Sequence, residues 1–185
     1  MYAFTEKYVL ALSHDEVVYG KGSLIGKMSG DEWQKRAQNR LLLAMMYAQP
    51  GKKMIFMGME FGQIREWNHD EQLRWKHLQD PSRQQMLIFL TELHHLYRNQ
   101  SALFEWDYVS KGVRWLQMDD NERSILCLAR CSSTGDWVLF LCNWTPQVYY
   151  DYRVRVPQPG KWVEVLNSDS TIFGGSGVVA VDSAF

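Results

Sequence analysis

An α/β segment followed by an antiparallel all-β segment is the fold class the sequence predicts, on three observations. Two short apolar runs, Tyr8-Val9-Leu10-Ala11-Leu12 and Met54-Ile55-Phe56-Met57-Gly58, lack helical spacing and flank a stretch with a helical apolar period. A second helical stretch opens at Asp80-Pro81. From about Phe104 the period changes to alternation, punctuated by Asp119-Asp120-Asn121, Thr134-Gly135-Asp136 and Pro159-Gly160. That change puts a domain boundary near Ser101, dividing the chain into residues 1–100 and 101–185.

Taken in order, the first apolar run reads as a strand buried on both faces of a parallel sheet. It ends in Ser13-His14-Asp15-Glu16 and opens into Tyr19-Gly20-Lys21-Gly22. A strand of a parallel sheet presents working groups just past its carboxyl end, so His14 and Asp15 are candidates to converge on a ligand. The same Ser-His-Asp string also suits a helix cap or a polar turn, and the residues alone leave both readings open. Ser29-Gly30-Asp31-Glu32 has the spacing of a capping box and predicts a helix to about Ala48, with Trp33, Ala37, Leu41, Ala44 and Ala48 inward. Gln49-Pro50-Gly51 stops it.

The second apolar run then forms a strand carrying Glu60 beyond its end, and the strand-helix-strand order predicts a right-handed parallel crossover. Glu60 to Leu78 is a long polar and aromatic loop, a length that points to function. Asp80 is the expected N-cap of a helix with Pro81 at its first position, running to about Asn99 with Leu87, Leu90, His94 and Tyr97 on one side. His94 and His95 are adjacent and face different directions, so they are not a metal pair. Five strands are expected beyond: Val113–Leu116, Ser124–Arg130, Trp137–Cys142, Tyr149–Val156 and Trp162–Leu166, in a small sandwich.

With 185 residues, 46% hydrophobic and 22% charged, the composition is that of a globular protein with one or two small cores. A net charge of -1 argues against nucleic-acid and membrane-surface partners. No stretch reaches the roughly 18 apolar residues of a membrane span, and Met1 to Lys7 lacks a signal-peptide pattern, so a cytoplasmic location is expected. Cys127, Cys131 and Cys142 are an odd number and are expected as buried free thiols, with no metal site around them. Eight Trp and 14% aromatic residues suit sugar stacking and equally suit a core.

Leu12-Ser13-His14-Asp15-Glu16-Val17-Val18, Gly20-Lys21-Gly22-Ser23, Met28-Ser29-Gly30-Asp31, Phe56-Met57-Gly58, Glu60-Phe61-Gly62-Gln63 and Arg65-Glu66-Trp67-Asn68-His69-Asp70 together resemble bacterial 1,4-alpha-glucan (glycogen) branching enzymes. These belong to glycoside hydrolase family 13, the alpha-amylase superfamily. The resemblance continues at Cys142-Asn143-Trp144-Thr145-Pro146, Pro159-Gly160-Lys161-Trp162, Glu164-Val165-Leu166-Asn167-Ser168-Asp169 and Gly174-Gly175-Ser176-Gly177.

The resemblance implies the last two βα units, strands seven and eight, of a (β/α)8 barrel, followed by an incomplete C-terminal antiparallel β-sandwich domain. A whole barrel needs roughly 250 residues, so a longer enzyme is implied, with Met1 internal to it. The end, Val178 to Phe185, departs from the family pattern. The implied reaction cleaves an alpha-1,4-glucan and transfers the segment to a 6-hydroxyl, with retention and without a cofactor. Asp15 matches the family's transition-state-stabilising carboxylate and His14 a hydrogen-bond donor to the cleaved sugar. Glu16, Glu60 and Trp67 match substrate-contacting positions, whereas the nucleophile and acid/base lie on strands this chain does not contain. Tyr19 stands where His is common, Met59 where Asn is common and Arg74 where an acidic residue is common; the first two lie close to the expected site and bear on acceptor preference. A related superfamily hydrolase and a non-catalytic glucan-binding module are the competing readings.

Overall fold

The computed structural model of the chain describes residues 4–178. Strands β1 (Val9–Leu12) and β2 (Lys52–Ile55) pair in parallel, with Val9 opposite Lys52 and Leu12 opposite Ile55. Helix α1 (Glu32–Ala48) connects them, and helix α2 (Pro81–Asn99) follows β2 after a long loop. Strands β3 (Val113–Asp120), β4 (Ile125–Cys131) and β5 (Trp137–Asn143) form an antiparallel sheet with β4 in the middle.

The start of α1 is shifted from the expected box. Asp31 is the cap: its carboxylate accepts from the Gln34 N–H at 2.8 Å, while the Gln34 side-chain oxygen accepts from the Asp31 N–H at 2.9 Å. The Ser29 N–H, which a box built on Ser29 would give to the Glu32 carboxylate, donates instead to the Gln38 side chain, whose amide donates to the Ser29 carbonyl. The inward face also differs from the expected stripe, comprising Asn39, Arg40, Leu43, Tyr47 and Ala48. Burying Leu43 and Tyr47 removes more apolar surface from water than burying Ala37 and Ala44 would, and α2 offers the matching partners. Met86, Phe89, Leu90 and Leu93 close that core together with Phe173.

Helix α2 begins as its sequence predicts, with the Asp80 carboxylate accepting from the Ser82 N–H at 2.9 Å and Pro81 in the first turn. That backbone bond is the chief reason the Asp80 carboxyl sits below its ordinary pKa. Asp80→Ala should therefore lower stability by about 1 kcal/mol, read as a lower urea midpoint at unchanged slope. Of the expected inward residues Leu87, Leu90, His94 and Tyr97, only Leu90 is fully buried; the face is rotated onto Met86, Phe89 and Leu93.

The sheet is joined to the helices through charge as well as apolar contact. Arg130, fully buried on β4, pairs with the equally buried Asp107 at 2.8 Å. Its remaining nitrogens donate to the carbonyls of Gly112 at 3.1 Å, Ala48 at 3.2 Å and Gln49 at 3.0 Å. Arg130 thus satisfies carbonyls that α1 leaves without intrahelical partners at its C-terminus. Asp107 also receives Lys52 at 3.0 Å and the Tyr97 hydroxyl at 3.2 Å. Beside this cluster burial pushes the Lys53 ammonium down to about 8.

Past Leu166 the chain returns to the helices. Arg40 donates to the Ser168 carbonyl at 2.7 Å, Trp33 donates to the Gly174 carbonyl at 2.9 Å, and the Phe173 ring meets Phe89 at 5.3 Å.

Three expectations about strands are corrected. β1 is not buried on both faces: its residues alternate between exposed and half-buried, with Val9 54% exposed, because β2 is its sole hydrogen-bonded neighbour among the described residues. The second strand spans Lys52–Ile55 rather than Met54 to Gly58. Tyr149–Val156 and Trp162–Leu166 are irregular, so the described residues contain one three-stranded sheet rather than two facing sheets. The chain leaves β5 through a turn in which Asn143 accepts from Thr145 and donates to the Gln147 carbonyl. Pro146, Pro157 and Pro159 supply no N–H for a ladder. Tyr152 instead anchors the segment to Asp120 at 2.7 Å. The three cysteines are buried and free as expected, and burial pushes the Cys127 and Cys142 thiols up to about 12 and about 11. The departure noted for Val178 to Phe185 lies, from residue 179 onward, outside the described residues.

Candidate functional site

The parallel pairing of β1 and β2 brings their carboxyl ends side by side, and the Phe56 N–H extends the pairing by donating to the Leu12 carbonyl at 2.9 Å. Ser13-His14-Asp15-Glu16 therefore emerges beside Phe56 and the loop that follows it. His14 to Glu16 form a single 3-10 turn. Ser13 caps it: its hydroxyl accepts from the Asp15 N–H at 3.1 Å, and its own N–H donates to the Glu16 carboxylate. Ser13 thus acts as the cap of this string, with Glu16 completing the box. It leaves the His14 and Asp15 side chains unspent.

Those two side chains are largely in solvent, 54% and 70% exposed, with the His14 Nε2 3.5 Å from the Asp15 carboxylate. The imidazole is flanked by rings, with Phe56 at 5.9 Å and Trp67 at 6.3 Å between centroids. Phe56 and Trp67 meet edge to face at 5.1 Å, and His69 lies 6.3 Å beyond Trp67. The result is an aromatic wall beside an accessible carboxylate, an arrangement suited to a polyhydroxylated ligand that stacks its apolar face and bonds its hydroxyls.

Of the residues singled out by sequence, His14, Asp15 and Trp67 are thereby brought together. Glu16 closes the same turn with an oxygen engaged by the Ser13 N–H, and Glu60 accepts from the Gly58 N–H at 2.6 Å. Each of these two carboxylates thus serves its own backbone through one oxygen. Tyr19 is 92% exposed on the loop tip, whereas Met59 is buried with Val17 and Leu24 beneath the site.

Sequence reasoning missed three participants. Phe56 was read as a core strand residue, since an apolar side chain at a strand end carries no polar signal. Lys27 donates from its ammonium to the Glu16 carbonyl. Glu66 accepts from the N–H groups of Gly20 at 2.9 Å and Gly22 at 3.1 Å. The two glycines signalled an unusual backbone but not its partner 44 to 46 positions away. Among the described residues no group of three or more His, Cys, Asp or Glu could hold a metal ion, and no helix is long and apolar enough to cross a membrane.

The C-terminal all-beta domain of alpha amylases matches residues 115–184, in agreement with the antiparallel sheet. Relatives match far more of the chain. The 1,4-alpha-glucan branching enzyme of Aromatoleum aromaticum is 51% identical over 95% of this chain and 28% of its own length. That of Rhodopseudomonas palustris strain BisA53 is 49% identical over 96% of this chain and 25% of its own. That of Aquifex aeolicus is 48% identical over 96% and 28% respectively. The chain spans about a quarter of the length of the curated relatives it matches. Along nearly its whole length, then, the chain is homologous to 1,4-alpha-glucan branching enzymes, as a segment that carries their alpha-amylase-type C-terminal all-beta domain.

Proposed function

We propose that this chain supplies one wall of the glucan site of a 1,4-alpha-glucan branching enzyme, which cleaves an alpha-1,4-glucan and transfers the segment to a 6-hydroxyl. Residues 1–100 correspond in this reading to the last two βα units of a (β/α)8 barrel and residues 101–185 to the C-terminal β domain. The observation that carries it is the convergence of His14, Asp15 and Trp67 at the carboxyl ends of two paired parallel strands, within a stretch homologous to branching enzymes.

Such a transfer needs a nucleophile and an acid/base flanking the glycosidic bond, which this reading assigns to barrel strands outside the chain. Asp15, charged and accessible, accepts substrate hydroxyls and stabilises positive charge as it develops at the anomeric carbon. His14 donates a hydrogen bond to the same sugar from a ring flanked by Phe56 and Trp67. Trp67 offers a stacking surface, and Glu16 and Glu60 contribute the carboxylate oxygens that their backbone bonds leave over. Work on a dissolved glucan in the cytoplasm is part of this reading; among the described residues no helix is long and apolar enough to cross a membrane, and the net charge is -1.

The isolated chain is expected to form no alpha-1,6 links. A chimera in which it replaces the matching segment of the Aromatoleum aromaticum enzyme is expected to form them, scored by debranching the product and sizing the released chains. New branches from the isolated chain would refute the assignment of the missing groups. A chimera that yields reducing ends without branches would favour a hydrolase.

A further inference from the structure

We propose that Glu66 is a positioning residue of this site, acting as a built-in anion that ties the 17–22 loop to the loop after β2 and so holds Trp67 against the His14-Asp15 turn; this rests on the functional reading above. Gly20 and Gly22 both have positive φ, +79° and +71°. A Cβ at either would meet nothing within 4 Å, so backbone conformation rather than crowding calls for glycine there. Their N–H groups point to one side and make a concave donor pair of the kind that binds anions. Here the anion is the Glu66 carboxylate, delivered from the loop after β2, with one oxygen accepting from both amides. Hydrogen bonds to a charged acceptor are about twice as strong as neutral ones.

The neighbouring residue makes the same crossing. The Trp67 N–H donates to the Val17 carbonyl at 2.7 Å, and its ring packs on His14. Residues 66 and 67 therefore lash the loop after β1 to the loop after β2 at two points. Val17 and Leu24 are buried on either side, whereas the intervening tip is exposed and carries Tyr19. Losing the Glu66 bonds would free residues 18–22 while Val17 and Leu24 stay packed. Site geometry suffers more than global stability.

The test compares Glu66→Ala and Glu66→Gln with the parent in the chimera, by hydrogen exchange and by branching kinetics. Glu66→Ala should speed exchange across residues 18–22 by about tenfold or more, with the core amides of α1 and α2 unchanged. It should lower kcat by about tenfold with little change in KM, because Trp67, the residue next to Glu66, packs on the His14 ring and shifts with it. Glu66→Gln keeps an acceptor without charge and should fall between parent and Ala in both readouts. Unchanged exchange in Glu66→Ala overturns the clamp. Faster exchange with unaltered kcat overturns the positioning role and leaves only a structural staple. An inactive parent chimera refutes the functional reading and the positioning role with it, while the exchange comparison, repeated on the isolated chain, still decides the clamp.

Discussion

Asp15→Asn in the chimera is expected to lower turnover by about 10²- to 10³-fold, the usual cost of removing one electrostatic contact to a transition state. Asn keeps the shape and one accepting oxygen but not the charge. The fold should not notice the change. In the 3-10 turn only the Asp15 backbone N–H is used, donated to Ser13, while the side chain is 70% exposed and faces the His14 ring at 3.5 Å. A thermal midpoint equal to the parent's, alongside the loss of rate, is the predicted pair of results. Near-normal initial rates would refute the catalytic role and leave the string as a capped turn, since exposed substitutions of this kind alter stability by only about 0.5 kcal/mol.

Arg130→Met is expected to destabilise the chain by about 3–5 kcal/mol, the range found when one partner of a buried ion pair is removed. Asp107 would be left buried with only the half-exposed Lys52 and the Tyr97 hydroxyl as partners. The carbonyls of Ala48, Gln49 and Gly112 would lose their donor at the same time. Urea unfolding measures the loss. The double variant Arg130→Met, Asp107→Leu should recover part of it, because an apolar pair leaves no uncompensated charge. A loss below about 1 kcal/mol in the single variant would mean that water reaches the pair and that the joint between sheet and helices is not held by it.

The two predictions probe different depths of the same construction. Asp15 stands at the solvent face, where its charge is available to a ligand. Arg130 stands beneath, at the C-terminal end of the helix that follows the Asp15 loop, where it fixes the sheet against that helix. A change at the first should be visible only in chemistry and a change at the second first in stability.

By itself the sequence determined the order of elements wherever local chemistry decides. Asp80-Pro81 starts α2 because a carboxylate accepting an amide and a residue lacking an N–H are both local solutions to a helix start. Gln49-Pro50-Gly51 ends α1 for the same kind of reason, and the apolar runs around Leu10 and Ile55 become the two parallel strands. The placement of His14 and Asp15 past a strand end was also legible, because the run of apolar residues breaks abruptly there.

What only the tertiary structure decided was which faces and which charges meet. The inward face of α1 is set by the partners on α2 and by Phe173, so Leu43 and Tyr47 are buried, and of the expected stripe only Ala48 is. Tyr149 to Leu166 alternates like strands, yet strands need an unpaired neighbour in register, and the turn at Asn143 carries the chain away from the edge of β5. Arg130 with Asp107, and Glu66 with Gly20 and Gly22, are pairs 23 and 44 to 46 positions apart whose attraction falls off within a few ångströms. No local pattern encodes such a pair, because its energy exists only once the chain has folded far enough to bring the two groups into contact.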